Sequence, residues 1–204
     1  MKKVLLAATA IFTFGLATAQ DISYGAKAGL NMSTLTGDVE DAKSIFGFHV
    51  GGFVEIKISE KFSIQPELLY SAQGAKTEFN ENFDGFNIKV KETVNLGYLN
   101  IPIMAKYYVS DKFSLLAGPQ IGLNLSAKAK AEASFEEISF SETVDIKDEV
   151  ETLDLGLNFG AAYSISEKIF IEGRYNFGLS NIVKDSDGDK AMNGVFQLSL
   201  GYRF

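Results

Sequence analysis

Apolar and polar residues alternate along most of this chain, most clearly at its end. From Val195 to Phe204, Phe196, Leu198, Leu200, Tyr202 and Phe204 fall on one face, and Gln197, Ser199, Gly201 and Arg203 on the other. Successive side chains of an extended strand point to opposite sides, so this period of two predicts a strand with one apolar and one polar face. Ile169–Ser180 and Leu153–Ser164 repeat it. Further strands are predicted over Tyr24–Ser33, Phe46–Ile58, Phe62–Ala75, Val94–Val109 and Phe113–Lys128, making eight. Three connections are short and alike: Ser59-Glu60-Lys61, Ser110-Asp111-Lys112 and Ser166-Glu167-Lys168. They recur at a loosely constant spacing, as in a chain of repeated hairpin pairs. The other four connections are longer, near Thr34–Ile45, Lys76–Thr93, Ala129–Glu151 and Ile182–Gly194.

An even number of antiparallel strands, with short turns at one end and long loops at the other, predicts an all-β fold. It is an eight-stranded antiparallel transmembrane β-barrel, an up-and-down meander with both termini in the periplasm. A soluble barrel would turn its apolar face inward. Here the polar faces hold the small residues, among them Gly25, Gly29, Gly51, Gly118, Gly122, Gly156 and Gly201. Such residues fit a narrow interior, whereas Phe48, Leu68, Tyr70, Tyr107, Phe159 and Phe177 suit a wall facing lipid. The polar faces also carry Lys27, His49, Glu55, Lys57, Glu67, Lys106, Asp154, Glu172, Arg174 and Arg203. Buried charges must be paired or hydrated, and the signs nearly balance. Eight strands enclose room for side chains only, so an internal salt-bridge plug is expected rather than an open path for ions. Pro66, Pro102 and Pro119 fall inside predicted strands of a ring with no edge, so each is expected at a bulge or a local widening.

The N-terminus differs from the rest. Met1-Lys2-Lys3 is a basic start, Val4 to Ala19 is uncharged and largely apolar, and Ala17-Thr18-Ala19 is an A-x-A cleavage pattern. Residues 1–19 are therefore expected to be a secretory signal peptide, leaving residues 20–204 as the outer-membrane barrel domain. Removing Lys2 and Lys3 from the 19 basic residues leaves 17 against 26 acidic, so the net charge moves from −7 to −9. An acidic chain lacks the clustered cations that nucleic-acid binding needs. With no Cys there is no disulfide framework, thiol nucleophile, Cys-based zinc site or lipoprotein anchor.

Several segments together resemble the PorT-like outer-membrane β-barrel family of Gram-negative bacteria. They are Tyr24-Gly25-Ala26-Lys27-Ala28-Gly29-Leu30-Asn31, Tyr98-Leu99-Asn100-Ile101-Pro102-Ile103-Met104-Ala105-Lys106-Tyr107-Tyr108 and Ala117-Gly118-Pro119-Gln120-Ile121-Gly122. Gly173-Arg174-Tyr175-Asn176-Phe177-Gly178-Leu179 and Tyr202-Arg203-Phe204 complete the set. The resemblance implies a barrel in the outer membrane. Some relatives are linked to protein export, and no catalytic motif comes with the family.

Candidate chemistry is sparse. His49 is the only histidine, and no second element of a catalytic motif accompanies it. Asp185-Ser186-Asp187-Gly188-Asp189 superficially resembles a calcium loop, but Phe196 stands where an EF-hand needs Glu, so acidic turn chemistry is the expected reading. The Ala129–Glu151 segment holds most of the acidic excess. Its stretch from Ala133 to Ile146 also alternates, and its flanking strands are expected to project beyond the bilayer as a hairpin. No catalytic, metal or cofactor residues are assigned. The expected function is a non-enzymatic structural, adhesive or loop-display role without a large open pore. Alternatives are a narrow pore or an accessory of secretion across the outer membrane, and a lipid-modifying enzyme. Expected partners are outer-membrane lipids, barrel-assembly machinery reading the terminal Phe204, and extracellular or secretion proteins reached through the loops.

Overall fold

The computed structural model describes residues 22–39, 41–83, 86–135, 138–184, 186 and 188–204. Among these the chain forms nine strands: β1 Ile22–Gly37, β2 Lys43–Lys57, β3 Phe62–Phe83, β4 Phe86–Tyr108, β5 Phe113–Phe135, β6 Ile138–Asp145, β7 Leu153–Ser164, β8 Ile169–Gly178 and β9 Ala191–Arg203. All ladders are antiparallel, and the ring closes where β1 pairs with β9 from Gly25↔Arg203 to Gly37↔Ala191. The ring has eight places, because β6 and β7 share one. β7 lies beside Phe113–Leu123 of β5 and β6 beside Lys128–Phe135. Between them the chain leaves the ladder for a single 3-10 turn at Lys147–Glu149. Following partners round the ring from Lys27 through Gly51, Leu69, Asn100, Gly122 and Asp154, and continuing the β7–β8 and β8–β9 registers, returns to β1 at Gly37. A stagger of ten residues over eight strands tilts them by about 40° to the barrel axis.

The faces point as a membrane barrel requires. Phe48, Leu68, Tyr70, Tyr107, Phe159 and Phe177 are all exposed on the outer wall, while Lys27, Asn31, His49, Glu67, Asn158, Glu172 and Arg174 are buried within. On β5 the apolar exterior runs from Phe113 to Leu125. That is about 40 Å along the strand and about 30 Å along the axis at this tilt, the thickness of a hydrocarbon core. The three short turns fold alike. In each, the Ser amide (Ser59, Ser110, Ser166) donates to the carbonyl of the apolar residue three positions on, at 3.1 Å. The first described residues and Phe204 lie at this end: the Phe204 amide donates to the Tyr24 carbonyl at 2.9 Å.

Four expectations need correction. Lys76–Thr93 is not a loop, since β3 runs on to Phe83 and β4 begins at Phe86. Ala129–Glu151 is likewise mostly strand, in β5 and β6. Loss of an apolar outer face in the sequence marks only where the strands leave lipid. Ladder hydrogen bonds carry them further. Lys57 is exposed at the turn-end rim and takes no part in the interior. The prolines, finally, sit at lapses in the ladder and not at bulges. Beside Pro66, Pro102 and Pro119 the β2–β3, β3–β4 and β4–β5 ladders each skip two residue pairs and resume in unchanged register. A missing N–H removes a bond without inserting a residue, so pairing lapses while the register is kept. The two register shifts lie elsewhere, at Ser44/His49 and Gly97/Tyr98.

The interior is tight enough to dictate glycine. A methyl on Gly29 would collide with the Leu198 carbonyl oxygen and lie 2.7 Å from His49 Cε1. The rings of Phe53 and Phe170 lie against Gly25 and Gly201 and meet edge to face at 5.5 Å. Gly173, facing outward, has nothing within 4 Å of such a methyl. Gly29→Ala is therefore expected to destabilise the barrel by about 2 kcal/mol through overpacking. Gly173→Ala is expected to stay within about 0.5 kcal/mol of wild type. Urea midpoints read from the heat-modifiable gel shift check both.

Candidate functional site: the lumen and the projecting sheet

The inward faces bring distant residues into one charged network. Lys27 Nζ lies 2.8 Å from Glu67 Oε2 and 2.8 Å from Glu172 Oε1. Arg174 Nη1 lies 2.9 Å from the same Glu67 oxygen, and its Nε donates to Gln197 Oε1 at 2.6 Å. Gln65 Nε2 donates to the other Glu67 oxygen at 2.9 Å. A second cluster lies nearer the turn end, where Lys106 reaches Glu55 at 3.1 Å and Arg203 reaches it at 3.5 Å. Without Lys57, the interior holds Lys27, Lys106, Arg174 and the part-buried Arg203 against Glu55, Glu67, Asp154 and Glu172. Charges so enclosed persist only when paired and hydrogen-bonded. Asp154 is the exception. Among the described residues it meets no cation and instead accepts from Asn193 at 2.8 Å and Ser180 at 3.0 Å.

His49 belongs to an uncharged layer. Asn31 Nδ2 donates to the Ala72 carbonyl at 2.8 Å and to Ser71 Oγ at 3.0 Å, which leaves Asn31 Oδ1 as an acceptor. His49 Nδ1, 2.7 Å from that oxygen, therefore carries the proton, and Nε2 accepts from Ser199 Oγ at 2.8 Å. Ser199, His49 and Asn31 thus stand in the order nucleophile, base and orienting amide. All three are enclosed, with at most 2% of any residue exposed, so no substrate carbonyl can approach Ser199. Asn31, Gln65, Ser71 and Asn193 are further lumen residues, not among those expected from the sequence. Their inward register with Lys27 and Glu67 is the signal that would have found them.

Apolar layers bound this polar interior. Phe53, Met104, Leu116, Ala162 and Phe170 pack together toward the turn end. Leu96, Tyr98, Ala127, Val150, Ile182 and Ala191 pack together toward the other. Val150 and Ile182 come from the connections after β6 and β8, which the Val150↔Val183 bridge ties across the mouth. A bowl of about 750 Å³ opens at the turn end, lined by Glu55, Lys57, Asp111, Lys112, Glu167 and Arg203 among others. Phe53 and Phe170 lie inward of it. The lumen is a filled plug.

Beyond the apolar belt, β3, β4, β5 and β6 continue as a four-stranded sheet that stands above the rest of the ring. Its inward face follows the register Phe79↔Val90↔Ala133↔Phe140 and, nearer the barrel, Ala75↔Val94↔Ala129↔Val144. Phe79, Phe140 and Val144 are 46%, 72% and 51% exposed. The outward face carries ion triads. Lys43 and Lys76 bracket Glu78 at 2.8 and 3.0 Å, and Lys91 and Lys130 bracket Glu132 at 3.1 and 2.7 Å. Hydrogen bonds from Lys43 and then Lys76 hold the Glu78 carboxyl down at about 2. Of the acidic turn, Asp185 and Asp187 lie outside the described residues. Asn181 organises its neighbours: Nδ2 donates to Ser186 Oγ at 2.7 Å, and Oδ1 accepts the Ala191 amide at 2.9 Å. Among the described residues no group of three or more His, Cys, Asp or Glu could hold a metal ion.

Two outcomes are expected. Glu67→Gln leaves Lys27 and Arg174 sharing one buried carboxylate and should destabilise the barrel by about 3–5 kcal/mol. Adding Lys27→Met should restore at least half of the loss in urea unfolding. The second concerns pH. A depressed carboxyl stabilises the fold above its unfolded value and loses that contribution as pH falls through the folded one. The Glu78 triad should therefore survive at pH 3, where a free glutamate is protonated. Carboxyl ¹³C titration should give a midpoint well below 4, rising toward the ordinary value in Lys43→Gln.

Comparison with known proteins agrees with this architecture. Neisserial surface protein A superposes with a TM-score of 0.50 at 11% identity, covering 90% of this chain and 99% of that one, which supports the fold alone. Two further structures resemble it at TM-scores below 0.5. One is Ail, the attachment invasion locus protein of Yersinia pestis, solved with the heparin analogue sucrose octasulfate (0.47, 16% identity, 90% and 99% covered). The other is CarO of Acinetobacter baumannii (0.43, 10% identity, 86% and 97% covered). No curated protein matches by sequence. The family model described as "Outer membrane protein beta-barrel domain" matches residues 18–184, and the chain belongs to that family of outer-membrane β-barrels.

Proposed function

We propose that this protein is a non-enzymatic outer-membrane barrel that presents its projecting sheet at the cell surface, in a structural or adhesive role. One observation carries the reading: a plugged barrel supports a sheet whose inward face exposes Phe79, Phe140 and Val144 beside a row with Glu92 and Glu142, and whose outer strands, β3 beyond Lys76 and β6, pair on one side only among the described residues. Open strand edges and exposed apolar surface are features that invite protein contacts. Short turns of outer-membrane barrels face the periplasm, which puts the sheet outside. The filled lumen favours display over a narrow pore, and the enclosure of Ser199 and His49 weighs against lipid-modifying chemistry. The PorT-like segments, cleavage after Ala19 and recognition of Phe204 by assembly machinery complete the proposal. Accessory roles in secretion would act through the same surfaces.

In planar bilayers the protein should give no discrete conductance steps. Regular single-channel openings would overturn the plug. Joining Thr77 to Glu92 and Lys130 to Thr143 by two-residue turns should leave the heat-modifiable barrel intact and abolish attachment of expressing cells to host-cell or extracellular-matrix surfaces. Undiminished attachment by that variant would reject display by the sheet.

A further inference from the structure

The outward face of the sheet differs in charge from the rest of the chain. Lys43, Lys76, Lys91, Lys128 and Lys130 share it, on β2 to β5. Glu78 and Glu132 lie among them, and Asp145 stands opposite Lys128 in the β5–β6 ladder. Among the described residues five ammonium groups thus face three carboxylates, in a protein with 26 acidic residues against 19 basic ones. The lysines are not consumed by their partners. Lys43 keeps 51% of its side chain exposed, Lys91 38% and Lys130 41%. The patch is one-sided: the outward positions of β7, β8, β9 and β1 carry no basic residue. It also adjoins the lipid belt. Phe46, 81% exposed, is three residues from Lys43, and Leu125, 55% exposed, is three residues from Lys128. Three residues span about 10 Å of strand, which at this tilt places the Lys43 and Lys128 ammonium groups just above the hydrocarbon, with Lys130, Lys76 and Lys91 five to seven residues beyond the last apolar outward position of the sheet. Thr93, opposite Lys76 and Lys130, and Asn95, opposite Lys128, place hydrogen-bonding groups between the cations.

We propose that this lysine face binds the phosphates of a phosphorylated glycolipid in the outer leaflet, whose acyl chains lie on the apolar wall around Phe46, Tyr70 and Leu125. The argument is charge complementarity together with continuity. An ammonium cluster directly above an acyl-chain surface matches an amphiphile with anionic headgroup and apolar tails. A soluble anion would use the cluster alone. Each bracketing pair of lysines keeps a net positive charge after its carboxylate is counted, so a phosphate can bridge them without displacing Glu78 or Glu132. The site fixes the sheet's orientation relative to the membrane and is independent of what the inward face contacts.

The test uses the full mature chain in phosphatidylcholine nanodiscs carrying diphosphoryl lipid A or the same lipid with its phosphates removed, with bound lipid counted by native mass spectrometry. The phosphorylated form should be retained preferentially. Combined Lys76→Gln, Lys91→Gln and Lys130→Gln should reduce its retention at least about tenfold, given the attraction each surface lysine exerts on anionic lipid. Lys57→Gln with Lys112→Gln, at the opposite rim, should leave retention unchanged. Equal retention of the two lipids would overturn the proposal, as would full retention by a triple variant that still shows the heat-modifiable band. Displacement of the lipid by millimolar inorganic phosphate would also count against it, by showing a simple anion site. If the triple variant does not fold, the wild-type comparison of the two lipids decides alone.

Discussion

The rest of the structure depends on one constraint: a backbone amide in hydrocarbon must find its partner within the protein. An open sheet would leave two rows of such groups in lipid, and the β1–β9 ladder removes them by joining the first strand to the last. Closure with eight strands at a stagger of ten then fixes the radius, and the radius fixes what fits inside. Glycine stands where the Phe53 and Phe170 rings or a facing carbonyl already occupy the space, and longer side chains cross the lumen to partners on distant strands. Lys27, Glu67, Glu172 and Arg174 come from β1, β3 and β8, up to 145 residues apart for a single hydrogen bond. Their pairing is a consequence of closure and in turn stiffens the ring.

Closure also explains where the prolines are tolerated. Pro66, Pro102 and Pro119 lie on three consecutive strands, and each removes one donor from its ladder. The lapses are short and register is retained on both sides, so neighbouring bonds hold the ring together. The same economy of backbone bonding lets β3 to β6 continue beyond the lipid belt. There the apolar exterior is replaced by lysine–glutamate triads, and the ladder alone maintains the sheet. Rigid barrel, plugged lumen and protruding sheet are therefore three results of one hydrogen-bonding requirement. The functional proposals rest on the protruding sheet, whose edges and exposed inward side chains meet water and whose lysine face adjoins the lipid belt.

The alternation of Val195–Phe204, Ile169–Ser180 and Leu153–Ser164 was enough to specify strand type, the direction of each face and a membrane barrel, because a period of two is a local property of extended chain. The small-inside, large-outside sorting followed from the same residues. Which charges meet was not legible. Glu67 faces both Lys27 and Arg174, while Asp154 faces only amides and hydroxyls, and that choice depends on register and tilt round the whole ring. The reach of β3, β4 and β5 beyond lipid is not legible either, since polar residues on both faces resemble a loop until a partner strand supplies their hydrogen bonds. Sequence by itself thus determined the wall and its polarity. Only the closed tertiary structure decided the plug, the lapses at the prolines and the projecting sheet, because each depends on which strand lies next to which.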